Sequence, residues 1–525
     1  MKKILLLALL LPLISFAQQF QWLKTPETLM PYNPEMLGYT TATDTQGNIY
    51  YTGFKDTPYL YTSIMGNQYF NKYNADGTLL FSKSINGQVQ SYNMITDNNG
   101  NVYMALGYVG GIVLDNIGLI SSSESELYLL VKFSPEGNLI YYHTLEPVDM
   151  GDGWYNEIAG FKALALDAQN NLYIGYSDFF KSYVEKLAPD GSILQTFAQD
   201  NVGRVTSVAV DTEGNIYTAG SCIGNQADFN GTPITTDLPY TIYLAKYNAA
   251  GENQWVKIVE DITCPEPHVV AKTPDAVYFS SYFYGSFPFD DIIPQDGGVA
   301  NEQFFLTKLN AQGQYQWFRQ TPINSRFALC NRNFLSLDDD GNVYLAGDTS
   351  GTTDWGNGVT TSIQSYSMRG AVLKYDAQGT VQMAKTVGGN DNEISITSFD
   401  GISVDANGDI IAAGLGYGAT AFDSFTYNPG QDTAYYPFIS KLSQTAAGVK
   451  DVASTAITLY PNPVADAFLL SGITGEVSGK VVNTLGQMVL EFTASANEKV
   501  DISALPSGNY FVQVNDANYI KVIKI

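Results

Sequence analysis

A small group of arginine and aromatic residues is the part of this sequence best suited to binding a ligand. The chain has five arginines among 525 residues, and Arg204, Arg326 and Arg332 fall in or next to connections between predicted strands. Aromatic rings beside arginine, aspartate and asparagine can stack on sugar rings or anchor a protein loop. The alternative is that these rings pack between structural units. The candidate ligand-binding residues are Trp154, Tyr155, Arg204, Tyr284, Arg326, Arg332 and Trp355.

Catalytic chemistry finds less support in the residue types. Asp149, Asp152 and Glu157 lie close in sequence and could supply paired carboxylates for glycoside cleavage. In a chain with 52 acidic residues, such a grouping also arises by chance. His143 and His268 are the two histidines, too few for a histidine-rich metal site and a poor basis for a Ser-His-Asp triad. No phosphate-binding glycine loop, zinc-type cysteine pair or nucleophile elbow is present, so the sequence predicts no catalytic residue, metal or cofactor.

Three cysteines and one acidic turn are the other candidates for redox or metal chemistry. Cys264 and Cys330 fall in similar predicted connections, and a bridge between them is the candidate pairing, which leaves Cys222 over. The alternative is that all three are small buried hydrophobic residues. The acidic run 338–342 invites a calcium interpretation, but it lacks the 12-residue spacing and late glutamate of an EF-hand loop.

Composition indicates many short strands and excludes a nucleic-acid binder. Lys plus Arg is 27 and Asp plus Glu is 52, a net charge of −25, so no basic excess is available for a phosphate backbone. Hydrophobic residues at 45% exclude a disordered chain. Only 15% of residues are charged, whereas glycine (48) and tyrosine (36) are abundant. This profile is typical of strands joined by turns.

The N-terminus has the organisation of a secretory signal peptide. A basic start at Met1–Lys3 precedes an apolar run, Ile4–Leu13, that is too short to span a bilayer. Small residues follow, and they predict cleavage between Ala17 and Gln18. The alternative is a retained membrane anchor. No later stretch reaches about 18 continuous apolar residues, so the mature chain is predicted to have no transmembrane segment.

Two short patterns alternate along most of the chain. The first is an apolar strand, the turn D-x-x-G-N and a second strand, because Asp and Gly together favour a tight hairpin. The second is a strand carrying lysine, a turn with glycine and another strand, and its lysines have a mean spacing of 61.5 residues. Each repeat therefore holds four strands, and the lysine series predicts seven blades of a β-propeller. The lysines are Lys72, Lys132, Lys186, Lys246, Lys308, Lys374 and Lys441.

The last repeat lacks its fourth strand, and the N-terminus supplies a matching one. The segment Gln21–Lys24 has the same form as 254–257 and 316–319, so it is predicted to close the last blade beside the Lys441 strand. In the fifth repeat Lys272 replaces the usual Asp. In the other repeats the Asp and Lys columns are predicted to pair as structure, because their turns lie on one face of each blade. This pattern over residues 18–444 resembles the secreted β-propeller repeat proteins of Bacteroidetes, a resemblance that implies architecture rather than activity.

After a linker at 445–456, residues 457–525 show a different pattern. The segment carries Tyr-Pro-Asn-Pro, Leu-Gly-Gln, Pro-Ser-Gly-Asn-Tyr-Phe and a lysine-bearing end. It resembles the type A C-terminal sorting domain of the type IX secretion system. That resemblance implies a small β-sandwich, handling by the secretion machinery, and release or attachment at the outer-membrane surface. The motif residues are Tyr460, Pro461, Asn462, Pro463, Gly486, Gly508, Lys521 and Lys524.

These observations together predict an exported, non-enzymatic propeller that binds a glycan or a protein. A propeller hydrolase or lyase acting on polysaccharide is the first alternative. A purely structural surface component is the second.

Overall fold

The computed structural model contains only β-strands as regular elements in the residues it describes. None of the described residues forms an apolar helix with the length needed to span a bilayer. The chain divides into two compact bodies, the repeat domain Phe16–Thr445 and a C-terminal domain within Ala446–Ile525. The described residues are 16–25, 39–55, 59–60, 64–115, 117–120, 125–146, 148–151, 154–260, 263–283, 285–296, 302–363, 367–389, 395–405, 407–427, 435–446, 458–471, 476–484, 487–495, 498–514 and 519–525.

The repeat domain is built from units of four antiparallel strands, each named here after the lysine of its third strand. Two long strands bend and serve two successive units each. The Lys72 unit contains Thr40–Thr43, Ile49–Phe54, Ile64–Tyr73 and the start of Leu79–Thr96. The Lys132 unit contains the end of Leu79–Thr96, Val102–Leu114, Leu127–Phe133 and Leu139–Leu145. The Lys186 unit contains Gly160–Leu166, Leu172–Ser177, Lys181–Leu187 and the start of Ile193–Val210.

The following units repeat the same order of strands. The Lys246 unit contains the end of Ile193–Val210, Ile216–Phe229, Thr241–Tyr247 and Asn253–Val259. The Lys308 unit contains His268–Ala271, Val277–Phe283, Gln303–Leu309 and Tyr315–Gln320. The Lys374 unit contains Arg326–Leu329 with Leu335–Leu337, then Val343–Ser350, Arg369–Tyr375 and Val381–Thr386. The Lys441 unit contains Ile396–Val404, Ile410–Tyr417, Tyr436–Ala446 and Phe16–Lys24.

Short additional strands lie in the connections between these units or between their strands. They form small antiparallel pairings that extend or flank the main sheets. Their bounds are Tyr59–Leu60, Ile117–Ile120, Val148–Gly151, Trp154–Asn156, Pro233–Thr235, Thr352–Gly356, Val359–Ser362, Gly388–Gly389, Thr420–Phe422 and Phe425–Tyr427.

In five units the aspartate at the start of the turn between the first and second strands organises that turn and pairs with the lysine beside it. In the Lys374 unit, Asp338 Oδ1 accepts the backbone N–H groups of Asp340 and Asn342 at 3.0 and 2.8 Å. Its Oδ2 accepts the Tyr344 hydroxyl at 2.7 Å and lies 3.6 Å from Lys374 Nζ. Equivalent Asp–Lys pairs occur in the Lys72, Lys132, Lys186 and Lys441 units at 3.3 to 3.9 Å. The predicted structural pairing of the two columns is confirmed in these units.

The Lys308 unit departs from this pattern, as its sequence indicates. Lys272 stands in the aspartate column and pairs instead with Asp339 of the next unit, with Nζ 3.3 Å from Oδ1. Lys308 donates to the Ala377 carbonyl at 3.1 Å and lies over the Tyr278 ring at 5.7 Å. Burial lowers the pKa of Lys308.

The N-terminal strand completes the Lys441 unit, which confirms the predicted pairing. Phe16–Lys24 is the edge strand beside Tyr436–Ala446 in that sheet. The Phe20 N–H donates to Asp423 Oδ2 at 2.7 Å. The Tyr39 N–H, at the start of the Lys72 unit, donates to Asp400 Oδ2 of the Lys441 unit at 2.6 Å. The first and last units are therefore joined through side chains as well as through the strand.

Buried aromatic and branched residues from the middle strands fill the repeat domain. Each unit contributes strands that alternate between its two faces, and successive clusters of buried residues join neighbouring units. Many of the largest buried side chains are tyrosines from the second strands, among them Tyr50, Tyr103, Tyr217 and Tyr344. Their rings pack inside while several hydroxyls reach the turn aspartate, so the Asp-to-Tyr spacing serves packing and hydrogen bonding together.

The C-terminal domain has two sheets that share one hydrophobic cluster. The strands of the first are Thr458–Tyr460, Ala467–Ser471 and Lys499–Asp501. The strands of the second are Met488–Ala494, Val477–Asn483, Gly508–Val514 and Tyr519–Lys524. Asn462 joins the Tyr-Pro-Asn-Pro segment to the last strand, because its Nδ2 donates to the Lys521 carbonyl at 2.7 Å and its Oδ1 accepts the Ile523 N–H at 2.9 Å.

The other sorting-motif residues take different positions. Tyr460 and Lys521 are exposed, whereas Lys524 is buried and its Nζ donates to the Ile525 carbonyl at 3.1 Å. Pro461 and Pro463 follow cis peptide bonds. Gly508 begins the strand that leads to Val514, and Gly486 lies outside the described residues.

Candidate functional site

Three cavities adjoin one another where the first strands of several units begin. The first, of about 230 Å³, is called here the basic cavity and is lined by Tyr92, Tyr128, Lys162, Phe179, Arg204, Glu266 and Arg332, among others. A second of about 300 Å³ continues along the first strands, and a third of about 390 Å³ lies between the Lys308 and Lys374 units. The second shares Tyr92, Lys162 and Arg332 with the basic cavity, and the third shares Glu266.

Lys162 and Glu266 form an ion pair in the wall of the basic cavity. Lys162 comes from the first strand of the Lys186 unit, and Glu266 from the connection that enters the Lys308 unit. The Lys162 ammonium lowers the pKa of Glu266 to about 2, whereas burial lowers the pKa of Lys162. The Glu266 carboxylate is therefore ionised at neutral pH and lies against the Lys162 amino group.

Arg332 and Tyr92 face each other across neighbouring parts of the cavity wall. The Arg332 guanidinium lies 4.9 Å from the Tyr92 ring centre, in cation–π geometry. The Tyr92 hydroxyl donates to Glu126 Oε1 at 2.5 Å, and burial raises the pKa of Tyr92. The ring is held in position by these contacts, so one aromatic face of the cavity is fixed before any ligand arrives.

Phe179 and Arg204 form the open side of the same cavity. Phe179 is 68% exposed and lies in a tight turn in which Asp178 Oδ1 accepts the backbone N–H groups of Phe180 and Lys181. Arg204 is exposed, and its Nη1 lies 3.5 Å from the Cys264 carbonyl oxygen. A Cβ on Gly203 would stand 2.7 Å from the Phe179 carbonyl oxygen, so glycine is needed for this close approach.

His268 lines the second and third cavities and follows Glu266 by two residues. Its ring stacks on Phe334 with the centres 4.2 Å apart. Burial lowers the pKa of His268 to about 3, with a further contribution from Lys162. The imidazole is therefore neutral at physiological pH and acts as part of the packed wall.

The residues named from the sequence lie in different surroundings. Arg204 and Arg332 do line the basic cavity. The side chains of Asp149, Trp154 and Tyr155 lie outside the described residues, although their backbone belongs to the short strands Val148–Gly151 and Trp154–Asn156. Asp152 and Tyr284 lie outside the described residues altogether. Glu157 is exposed.

The side chains of Arg326 and Trp355 are engaged in contacts within the repeat domain and do not form part of an open binding surface. Arg326 forms ion pairs with Asp348 and Glu302, and these carboxylates raise its pKa against the opposing effect of burial. Trp355 is 8% exposed, and its Nε1 donates to Thr361 Oγ1 at 3.0 Å. The expectation of an exposed Trp355 ring is corrected, because the ring packs edge-on against Phe327.

Sequence reasoning missed Tyr92, Tyr128, Lys162, Phe179 and Glu266. Phe179 and Phe180 carry a readable signal, since two adjacent apolar aromatic residues occur in a short turn where both are exposed. Lys162, Tyr92 and Glu266 give no comparable signal, because only the arrangement of several units brings them together.

The cysteines also differ from the expected pairing. Cys264 lies beside Cys222, because Ser221 Oγ approaches both Cys222 Sγ, at 3.8 Å, and the Cys264 carbonyl oxygen, at 3.4 Å. Cys330 is buried in a hydrophobic cluster, where burial raises its pKa. The structure therefore corrects the suggested pairing of Cys264 with Cys330.

No group of three or more metal-ligating side chains occurs among the described residues. In the acidic run 338–342, the Asp338 carboxylate already accepts bonds from Asn342 and Tyr344 and faces Lys374. The Asp338 carboxylate therefore stabilises its own turn and pairs with Lys374.

Comparison with known proteins identifies the C-terminal domain. Residues 458–525 match the family described as the secretion system C-terminal sorting domain, and they form a type IX sorting domain. Such a tail implies export, followed by secretion or attachment to the cell surface. No curated protein matches the chain.

The repeat domain has propeller-like solved neighbours at low identity. A streptogramin B lyase structure is 10% identical, covers 81% of this chain and 98% of its own, and has a TM-score of 0.39. PorZ of Porphyromonas gingivalis, a surface component of the type IX secretion system, is 11% identical over 92% of this chain and 70% of its own, with a TM-score of 0.29. The Dos1 propeller is 10% identical over 79% and 96%, with a TM-score of 0.35.

Proposed function

We propose that the repeat domain is a seven-bladed propeller closed by Phe16–Lys24, and that the C-terminal domain is a β-sandwich. The strand order in each unit and the contacts between the Lys441 and Lys72 units support a closed ring. A signal peptide removed between Ala17 and Gln18 would leave Gln18–Lys24 available as the closing strand. The chain is then delivered through the type IX secretion machinery, and the tail is removed on release or attachment.

The proposed activity is non-enzymatic binding of an acidic saccharide in the basic cavity. The observation that carries this proposal is the exposed Phe179 ring beside the Arg204 guanidinium, at a cavity also lined by Tyr92 and Arg332. Guanidinium groups bind carboxylates through paired N–H donors, and aromatic faces stack on the C–H faces of sugars. In a chain of net charge −25, a site with two arginines is a local exception that favours an anionic ligand.

A glycan array probed with the full chain tests this proposal. Arrays that contain uronate-bearing and neutral oligosaccharides of matched length should show binding to the acidic set, and that binding should weaken as salt rises. Binding confined to neutral sugars, or none to any saccharide, would contradict the proposal. Chromatography of the bound oligosaccharides after prolonged incubation should show intact chains, whereas shortened or unsaturated products would indicate a hydrolase or lyase.

A further inference from the structure

Cys222 is the extra residue of a β-bulge in the Lys246 unit. Ser221 and Ile223 pair with the consecutive residues Ile242 and Thr241, so Cys222 is the extra residue on that side. On the other side the register has no shift at this point and places Cys222 opposite Gly203. Its φ is +60°, in the left-handed region that non-glycine residues seldom adopt. Bulges redirect a side chain out of the regular alternation, and here the redirected side chain is a thiol.

Cys264 meets that bulge from the connection between Asn253–Val259 and His268–Ala271. Its φ is +48°, so both cysteines have left-handed backbone. Ser221 Oγ lies 3.8 Å from Cys222 Sγ and 3.4 Å from the Cys264 carbonyl oxygen. Arg204 Nη1 also approaches that carbonyl at 3.5 Å. The two strained residues thus meet at one place, where the Ser221 hydroxyl approaches both of them.

The two thiols differ in reactivity. The Cys264 side chain lowers the pKa of Cys222, and Arg204 lowers it further against the effect of burial. The Cys222 side chain raises the pKa of Cys264. Cys222 is therefore the more acidic thiol of the pair and the one expected to attack a disulfide.

We propose that Cys222 and Cys264 form a disulfide in the exported protein, which leaves Cys330 as a free buried thiol. The oxidant is a small-molecule or protein disulfide of the oxidising compartment. The Cys222 thiolate attacks one sulfur of that disulfide and releases one thiolate. The Cys264 thiol, deprotonated as it reacts, then attacks Cys222 of the mixed disulfide, forms the internal bond and releases the second thiol. Two electrons and two protons thus pass from the cysteine pair to the external disulfide.

The bond fixes one wall of the basic cavity. Glu266 lies two residues after Cys264 and pairs with Lys162 from the first strand of the Lys186 unit. A covalent link at Cys264 restrains the connection that carries Glu266, and it closes a loop from residue 222 to residue 264 within the repeat domain. Reduction should therefore loosen residues 263–268 more than other connections of the repeat domain.

Thiol counting and peptide mapping of the full chain test the proposal. After incubation with oxidised glutathione and removal of excess reagent, we expect one titratable thiol in denaturant, assigned to Cys330. A peptide should join Cys222 to Cys264, and reduction should raise the intact mass by about 2 Da. Reduction should also lower Tm by about 2–5 °C and speed hydrogen exchange across residues 263–268.

Single variants provide matched controls. In Cys222→Ser, Cys264 should remain a thiol or carry glutathione, and the reduction-dependent change in Tm should vanish, whereas Cys330→Ala should retain that change. Three free thiols in the oxidised wild-type chain would overturn the proposal. Stable glutathione on Cys222, or a bridge that includes Cys330, would also overturn it. These readouts use wild-type protein, so they do not depend on the folding of any variant.

Discussion

The indole Nε1 of Trp22 donates a 3.1 Å hydrogen bond to the carbonyl oxygen of Ala75, 53 residues along the chain. Trp255 and Trp317 make the same bond to Ala311 and Ala377, in each case to the turn of the following unit. Lys441 Nζ lies 3.5 Å from the same Ala75 oxygen, as Lys246 and Lys308 approach Ala311 and Ala377. The junction between the N-terminal strand and the Lys72 unit therefore repeats the junctions within the chain.

Trp22→Ala should destabilise the repeat domain by about 3–5 kcal/mol, because it removes a large side chain that is 6% exposed together with its hydrogen bond. Trp22→Phe should lose about 1 kcal/mol, since most of the apolar area remains. Urea unfolding monitored by circular dichroism measures both. Gln21→Ala, at a less buried neighbouring position, is the control and should leave the unfolding midpoint nearly unchanged. Equal midpoints for Trp22→Ala and wild type would argue against the N-terminal strand as an integral part of the sheet.

Asp338→Ala should lower the free energy of unfolding by about 2–4 kcal/mol. The substitution leaves Lys374 buried without its carboxylate and removes acceptors for Asn342 and Tyr344. Thermal unfolding of the full chain is the measurement. The double variant Asp338→Ala/Lys374→Met should recover part of the loss, because the uncompensated charge is then absent.

Lys308→Met is the matched comparison for that pair. Lys308 occupies the lysine column and donates to the Ala377 carbonyl, as Lys72 and Lys132 donate to the Pro135 and Pro189 carbonyls. It differs from them because Lys272 stands where its aspartate would be. Its replacement should therefore change stability less than Lys374→Met. A larger loss at Lys308 would show that the inter-unit carbonyl contact, and not the Asp–Lys pair, is the important interaction of this column.

The repeat could be predicted from sequence because its signals are local. The D-x-x-G-N turn requires the aspartate that accepts its own backbone N–H groups, as Asp338 does, and the glycine at positive φ, as at Gly341. The closing strand was also predictable, since Trp22 and Lys24 match the residue types of other fourth strands. These signals depend on residues within one hairpin or one strand.

The candidate site was less predictable because its residues come from separate units. Lys162 and Glu266 are 104 positions apart, and nothing near either residue indicates the other. Trp355 was named as a candidate but does not belong to the site. A tryptophan in a connection suggests an exposed ring, whereas this ring packs against Phe327. The position of a residue in a connection therefore predicts on which face of the repeat domain it lies, but it does not predict whether its side chain is buried.

The buried imidazole of His268 should make stability fall as the pH drops. Its folded-state pKa of about 3 lies below its unfolded value of about 6.5, so the folded state binds fewer protons. The stabilising contribution is present above pH 6.5 and is lost as pH falls toward 3. Between pH 7 and 5, wild type should lose about 1–2 kcal/mol more than His268→Gln, measured by urea unfolding at each pH. Equal losses of unfolding free energy in both proteins would contradict a neutral, buried His268. The difference between the two proteins at pH 8, where His268 is neutral in both states, measures the packing effect of the substitution alone.

Asn462→Ala should loosen the C-terminal domain, because it removes both hydrogen bonds between the Tyr-Pro-Asn-Pro segment and the last strand. The expected local loss is about 1–2 kcal/mol, seen as faster hydrogen exchange at Ile523 and its neighbours. Asn509→Ala, at an exposed position in the adjacent strand, is the control. Unchanged exchange in Asn462→Ala would mean that the last strand is held by its pairing with Gly508–Val514 alone.

The basic cavity makes a specific prediction about two adjacent phenylalanines. Phe179 is 68% and Phe180 64% exposed, but of the two only Phe179 contributes to the cavity wall as described. Because neither ring is buried, replacing either by alanine should leave Tm within about 1 °C of wild type. Phe179→Ala should weaken binding of an acidic oligosaccharide about 5- to 20-fold, as loss of one aromatic stacking contact does, whereas Phe180→Ala should not. Isothermal titration with an array-selected oligosaccharide measures both. Equal affinities for the two variants would place the ligand outside the basic cavity, even where the array shows binding.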